Sequence, residues 1–501
     1  MNPQRRISAA AVPGRPILLL TAAVALAALA VAALSGSTSR AAAAAPTAAA
    51  PTAAAPTAAA SDSVPPPIRH VFIIVLENES ASTTFGANSP APYLARTLRS
   101  EGAYLPRYYG TGHESNDNYI SMISGQPPNP ANQADCQFYG NFRVAATGPY
   151  GAQTGIGCIY PANIQTIAGQ LDRAHRTWRD YNEDMGNTPS REASRCGHPA
   201  VNSRDGTQTG TAQDQYATRH NPFVYFHSII DNKTLCDTHV VNLKLLPHDL
   251  KRAASTPNYV YITPNLCHDG HDSPCKDGEP GGLRSVNGFL KKWVPRITSS
   301  PAFRQQNGLL IITFDEAAAS DASSCCGEIP GPGSPAPGII GPGGGDTGAV
   351  LLSPCIKPRT VSEQPYNHYT MLRSVEDIFH LSHLGYAQLP GERSFGPDVF
   401  TRRCNGRPVA RISVPRTVRA ANRRGLIPVR WSSRSPGATF TVAVRGLRGG
   451  RAGGWRTLRR NTHAHRMTYT ASAGRTYQFR VRARSGVGIT GRWASRRVRV
   501  I

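Results

Sequence analysis

Three short segments gather the side-chain types that hold divalent cations. Glu77-Asn78 follows the apolar run 70–76, Asn265-Leu-Cys-His268-Asp269-Gly-His271-Asp272 follows a run ending at Thr263, and Asp315-Glu316 follows a run ending at Phe314. Carboxylates, amide oxygens and imidazoles are hard or borderline ligands. One acidic pair after an apolar run is ordinary, but three runs ending in possible ligands are harder to dismiss. Ser115 stands in His113-Glu-Ser115-Asn-Asp-Asn118-Tyr119, ahead of a helical pattern carrying Tyr119, Met122 and Ile123. Its hydroxyl could simply cap a backbone N–H there. The same position also offers an anion free N–H groups and the positive end of a helix dipole. A serine so placed, activated by a metal, can attack phosphorus.

The elements that must position these residues are legible as well. Runs 70–76, 259–263, 308–314 and 348–352 are continuously apolar, as strands covered on both faces are. Helical patterns at 93–100, 119–124, 164–174 and 369–381 fall between them. The alternation predicts an α/β fold with a mostly parallel sheet flanked by helices. Ligands of such sheets bind beyond the carboxyl ends of the strands, where the three segments lie. Residues 320–346 are rich in Gly and Pro and read as a long surface loop, pinned by Cys325 or Cys326.

Taken in order, Val71-Phe-Ile-Ile-Val-Leu-Glu77-Asn78, His113-x-Ser115-x-x-Asn118-Tyr119, Pro264-Asn265, Asp269-x-His271-Asp272, Phe314-Asp315-Glu316 and Asn367-His368-Tyr369 resemble the bacterial phosphoesterase family. That family includes acid phosphatases and phospholipases C and belongs to the alkaline-phosphatase-like superfamily. The resemblance covers roughly residues 68–389 and is similar most of all to secreted mycobacterial-type acid phosphatases acting on phosphoinositides. It implies that Glu77, Asn78, Asp315 and Glu316 hold a divalent metal ion next to Ser115. Ser115 then takes the phosphoryl group and Asn118 binds a phosphate oxygen. Asp269, His271 and His368 match places that hold a second metal or contact phosphate. Glu114 and Asp117 depart from the family pattern, which often has proline there, and add negative charge near the site. His220, in Arg219-His-Asn-Pro-Phe, is the basic residue expected to offset it, with the alternative of a loop histidine bonded to backbone. His113 and Asn265 are expected to bind substrate. Protonation of the leaving oxygen by His271 or His368 would favour mildly acidic pH.

The chain has 501 residues and a net charge of +24. From Thr401 to Ile501 there are 25 Arg and no Lys, Asp or Glu, which leaves 30 basic against 31 acidic residues in the first 400. The excess charge therefore belongs to the tail and not to the catalytic part. Arg5, Arg6 and Arg15 followed by the apolar stretch 16–34 read as an export signal or uncleaved anchor over 1–40. Residues 41–67, with Ala-Pro-Thr repeats over 41–60, read as a linker, and 68–404 as the catalytic domain. Residues 408–501 alternate apolar and polar in 426–431, 438–444 and 477–483, as in an all-β sandwich, and resemble fibronectin type III modules. Ten cysteines in an exported chain predict disulfides, with Cys136 and Cys158, and Cys267 and Cys275, able to close small loops.

The expected substrate is a phosphate monoester. A phospholipid is the alternative, for which Tyr139, Phe142, Tyr150 and Tyr160 could cage a quaternary ammonium group. The basic module would attach the protein to an anionic wall polymer or membrane surface. No specific nucleic-acid partner is expected.

Overall fold

The computed structural model describes residues 65–501 apart from 403, 405–407, 434, 436, 449–450 and 486–489. The expected signal segment and residues 41–64 of the linker lie outside the described residues. Among the described residues no helix is long and apolar enough to cross a membrane.

Eight strands form the central sheet: β1 (Val71–Leu76), β2 (Ala103–Leu105), β3 (Trp178–Asn182), β4 (Val240–Asn242), β5 (Tyr259–Thr263), β6 (Leu309–Phe314), β7 (Ala349–Leu352) and β8 (Thr360–Val361). Their order is β8-β2-β7-β6-β1-β5-β3-β4. The five strands from β6 to β4 run parallel, so the segments after β1, β5 and β6 emerge at one edge. The apolar run 348–352, grouped above with the parallel strands, is instead antiparallel to both of its neighbours as β7. A fully buried run looks the same read in either direction, so its polarity had no signature.

Each strand is apolar throughout because each face of the sheet has its own core. Val71, Ile73 and Val75 point into a core with Tyr119, Met122 and Tyr261, while Phe72, Ile74 and Leu76 point into another with Val286, Phe289 and Trp293. The first core is covered by α1 (Ser115–Ser124), α2 (Ile167–Arg173) and α4 (His368–Phe379). The second is covered by α3 (Gly282–Ser299), which turns Leu283, Val286, Leu290, Val294 and Ile297 inward at helical spacing. Asn367 caps α4 by accepting the Thr370 N–H, and α1 stops at Gly125, whose φ of 68° is left-handed.

All ten cysteines are paired. Cys136–Cys158 and Cys267–Cys275 close the small loops expected, joined by Cys196–Cys236 and Cys355–Cys404. Cys325 and Cys326 bond to each other and so pin nothing across the loop. Backbone bonds hold it instead, including Gly344 N–H to Gly110 O and Ala317 N–H to Gly344 O.

The C-terminal region is all β. A three-stranded sheet (Ala410–Ser413, Arg424–Ser433, Arg466–Ser472) and a larger antiparallel one centred on Thr439–Arg448, Thr476–Arg484 and Ala494–Val500 enclose their own core of Ile427, Val429, Trp431, Phe440, Val442, Phe479 and Val481.

Candidate active site

Ser115 is the first residue of α1, and its hydroxyl does not cap the helix. It donates to Glu77 Oε2 across 2.7 Å, and both residues are buried. The Tyr119 hydroxyl, one turn on, donates to Glu77 Oε1 across 2.6 Å. The carboxylate at the end of β1 is thus aimed at the serine from two sides. The residue before Ser115 pays for this placement in conformation: Glu114 has φ 80° and ψ 138°, a region that L residues rarely adopt. Its N–H is tied to Glu316 Oε2 across 3.0 Å.

Around Glu77 the strand ends converge as expected. The Asn78 N–H donates to Asp315 Oδ1 across 3.1 Å, and the Glu77 N–H to Asp269 O across 2.9 Å. The Asn78 amide lies 2.8 Å from Glu77 Oε2 and 3.3 Å from Asp315 Oδ1. Turned one way it donates to both; turned the other it adds an oxygen ligand to the set. Glu77, His220 and Asp269 each present a ligand atom within 4.8 Å of the others, and Asp315 Oδ2 is buried without a hydrogen-bond partner. These donors fit a divalent cation. Burial, then the neighbouring charge of Glu316, pushes Asp315 up to about 8. Burial and the charges of Asp315 and Asp269 push Glu77 well above the carboxylate range. A bound cation would reverse both shifts.

The cation that the chain itself brings to this cluster is Arg219. It is buried, with Nε 3.2 Å from Asp135 Oδ2, Nη1 donating to Gln208 O across 2.9 Å and Nη2 donating to His271 Nε2 across 3.0 Å. His271 gives its other nitrogen to Asp272 Oδ1 at 2.9 Å. His220 is stacked on Tyr119 with ring centroids 5.2 Å apart and bridges Asp269 Oδ2, 3.1 Å away, and Glu77 Oε2, 3.4 Å away. Burial, then Arg219 and His271, holds its pKa well below the usual value, so it joins the cluster as a neutral ring.

Other expected site residues are engaged differently. Asn118 Oδ1 accepts the N–H groups of Thr111 and Gly112, and its Nδ2 donates to Gly112 O, so the amide holds the loop before Ser115. Glu316 turns to His113 Nδ1 at 2.7 Å, and His113 Nε2 donates to Asp321 O at 2.9 Å. Asn265 caps its own turn through Cys267 and His268 N–H and donates to Asp184 Oδ2 at 2.6 Å. His368 is fully buried behind Asp315, with Nε2 2.5 Å from the Asp315 carbonyl and Nδ1 3.2 Å from the Tyr108 hydroxyl. Tyr139, Phe142 and Tyr160 are core residues, Phe142 stacking on Tyr160 at 4.6 Å, while Tyr150 packs edge-on to Tyr386, so the four form no open cage.

The Phosphoesterase family model matches residues 91–382, more than half of the chain. The chain belongs to the Phosphoesterase family. It is 26% identical over 219 residues to a phosphate-repressible acid phosphatase of Penicillium chrysogenum, covering 44% of this chain and 42% of that protein. It is 23% identical over 322 residues to the phosphatidylinositol-3-phosphatase of Mycobacterium tuberculosis, covering 64% of this chain and 80% of that protein. The chain therefore spans well under two thirds of the fungal relative. Among solved structures it is similar to a phosphonate monoester hydrolase from Silicibacter pomeroyi, with a TM-score of 0.36, 10% identity and coverage of 73% and 89% of the two chains.

Of the two acids beside Ser115, Glu114 is exposed and Asp117 is sealed in. Asp117 is fully buried with neither carboxyl oxygen bonded, and burial, then Glu316, pushes its pKa well above the usual range. Its carboxyl fits because residue 112 is glycine; a Cβ there would stand 2.5 Å from Asp117 Oδ2. Two contributors escaped the sequence reading. Arg219 stands beside His220, and a residue that is always charged is the signal in that segment that marks it. Asp135, which anchors Arg219 and accepts the Asn116 N–H at 3.0 Å, is brought there by the adjoining Cys136–Cys158 bridge.

Proposed function

We propose that the chain is an exported, metal-dependent phosphatase that hydrolyses phosphate monoesters through a phosphoserine on Ser115. The observation that carries this reading is the 2.7 Å bond from Ser115 to Glu77 at the start of a helix, inside a buried carboxylate cluster. A monoester dianion repels nucleophiles, so attack must be held in line and charge must be neutralised. Ser115 Oγ, oriented by the Glu77 oxygen it faces, forms the bond to phosphorus as the bond to the leaving oxygen breaks, and its proton is released to water. A divalent cation held by Glu77, Asn78, Asp315 and Asp269 supplies charge neutralisation and a more acidic serine hydroxyl. Arg219 adds a permanent positive charge. His271, part-exposed at the edge of the cluster, accepts from Arg219 through Nε2 and helps to aim the guanidinium, and the leaving oxygen takes its proton from water. Water then cleaves the phosphoserine, releasing phosphate and regenerating the hydroxyl.

Similarity to a protein named phosphatidylinositol-3-phosphatase supports phosphoinositides among the substrates. That Tyr139, Phe142, Tyr150 and Tyr160 form no open cage favours a monoester over a phosphocholine diester. Five disulfides suit an oxidising, extracytoplasmic site of action. The arginine-rich C-terminal region keeps the enzyme on an anionic surface.

The test compares the purified chain with Ser115→Ala on p-nitrophenyl phosphate, phosphatidylinositol 3-phosphate and phosphatidylcholine, with and without chelator. Ser115→Ala should lose about 10³-fold or more in kcat, and acid quenching should trap phosphate on Ser115. Undiminished turnover by the variant, or full activity in chelator, overturns the reading.

A further inference from the structure

One face of the C-terminal sandwich is built differently from the rest of the surface. In the larger sheet Tyr477, Phe479 and Val481 point inward, so Arg480 and Arg482 point outward. Antiparallel register places Arg445 and Arg497 opposite Gln478, and Arg499 opposite Thr476, on that same outer face. Two tryptophans lie among them. Arg480 stands 4.1 Å from the ring centre of Trp455 and 4.1 Å from that of Trp493, Arg445 stands 4.5 Å from Trp455, and Arg482 stands 4.7 Å from Trp493. Guanidiniums and indoles thus alternate in a ladder across the strands. Arg445 is fixed further by donating twice to Gln478 Oε1, at 2.9 and 2.7 Å.

Such a face is costly by itself. Residues 401–501 contain no acid to offset its charge, and like charges a strand spacing apart, roughly 5 Å, repel. Stacking holds the long side chains in place and lowers the entropy lost when they meet an anion. The ladder also selects among anions. Each indole is already covered by two guanidiniums, so a nucleic-acid base finds no free aromatic platform. Between the arginines the face carries Thr441, Gln478 and Ser495 with Ala443 buried beneath them, and Leu447, opposite Thr476, is half-buried, which leaves little to wedge into a lipid bilayer. What remains is an extended, non-aromatic polyanion whose phosphates follow the rows of guanidiniums.

We propose that the Trp455–Arg480–Trp493 face docks a phosphodiester-linked wall polymer, holding the enzyme on the cell surface. The inference rests on the reading of this region as a surface attachment.

The experiment uses the full mature chain and measures retention on immobilised poly(glycerol phosphate), on phosphatidylglycerol vesicles and on single-stranded polythymidylate at several salt concentrations. Two variants remove equal charge. Arg482→Gln/Arg497→Gln/Arg499→Gln alters the ladder face, whereas Arg411→Gln/Arg430→Gln/Arg466→Gln alters the outer face of the three-stranded sheet. The proposal expects polymer binding tighter than to vesicles or polythymidylate, weakened at least tenfold by the first triple and less than threefold by the second. Equal losses in the two triples, or preference for vesicles or polythymidylate, overturn the docking face while leaving surface attachment standing. No binding to any of the three anions overturns both. Turnover of p-nitrophenyl phosphate is read alongside and should be unchanged in both triples, which separates this outcome from failure of the enzymatic reading.

Discussion

Arg219 donates to Nε2 of His271 across 3.0 Å, and because a guanidinium has donors only, that nitrogen must be the acceptor. The His271 proton therefore sits on Nδ1, facing Asp272 Oδ1 at 2.9 Å. Arg219 is itself buried and anchored by Asp135. In the proposed mechanism Arg219 would be the positive charge that meets the phosphate, with His271 helping to aim it. Arg219→Gln is expected to lower kcat/KM for p-nitrophenyl phosphate by about 10²-fold or more, Arg219→Lys by less, and His271→Gln by about tenfold. Steady-state kinetics check this; a larger loss in His271→Gln than in Arg219→Gln reverses the roles.

His113 predicts the alkaline side of the pH profile. Its Nε2 donates to a carbonyl and its Nδ1 faces the Glu316 carboxylate, so both nitrogens carry protons in the paired state. Burial alone would lower its pKa, but the bond to Glu316 and that residue's charge raise it above the usual value. A histidine raised in this way is paired fully below its unfolded value near 6.5 and loses the pair as pH rises through the higher folded value. Activity should decline along a limb above pH ~6.5. In Glu316→Gln the raising partner is gone while burial remains, so the limb should move to lower pH. A limb that stays in place shows that some other group sets it.

His368 acts from behind the site. Nε2 donates to the Asp315 carbonyl, Nδ1 accepts from Tyr108, and burial lowers its pKa to about 4. A ring that stays neutral throughout the working range cannot set a limb between pH 5 and 8 (roughly the range in which histidines titrate). His368→Gln should therefore lower kcat by about tenfold through misplacing Asp315, with the profile unchanged in shape. Tyr108→Phe should cost less than threefold, roughly one neutral hydrogen bond's worth. A vanished limb in His368→Gln would falsify the positioning role.

The strand ends that carry Glu77, Asp269 and Asp315 were legible because a doubly covered strand is an unbroken apolar run, and the residues after parallel strands share an edge. The long helix α3 was not, since Gly288 and Pro295 read as breakers even though its apolar residues keep helical spacing. Nor could the sequence say which polar groups face the reacting centre. His368, Asn118 and Asn265 stand in the right motifs, yet their side chains bond to nearby backbone. Such choices depend on which carbonyl or N–H comes within reach in space, and spacing along the chain does not encode them.

The pH dependence of stability follows from carboxyls buried away from the active site. Burial pushes Asp180 up to about 8, with one oxygen bonded to Asn182 and the other unpartnered. Burial likewise pushes Glu376 up to about 9, where it accepts the Leu384 N–H at 3.0 Å. A carboxyl raised above its unfolded value is held more tightly protonated by the native state. Its stabilisation is complete below the unfolded value, near 4, and is lost as pH rises through 8 and 9. Each group can contribute up to about 1.4 kcal/mol per pH unit across that window. Thermal unfolding should therefore occur at higher temperature at pH 5.5 than at pH 8.5. In Asp180→Asn/Glu376→Gln the curve of Tm against pH should flatten, with Tm rising at pH 8.5, because the amides need no proton. An equally steep curve in the double variant would place the pH sensitivity elsewhere, in the carboxylate cluster around Glu77, where added divalent metal would then flatten it.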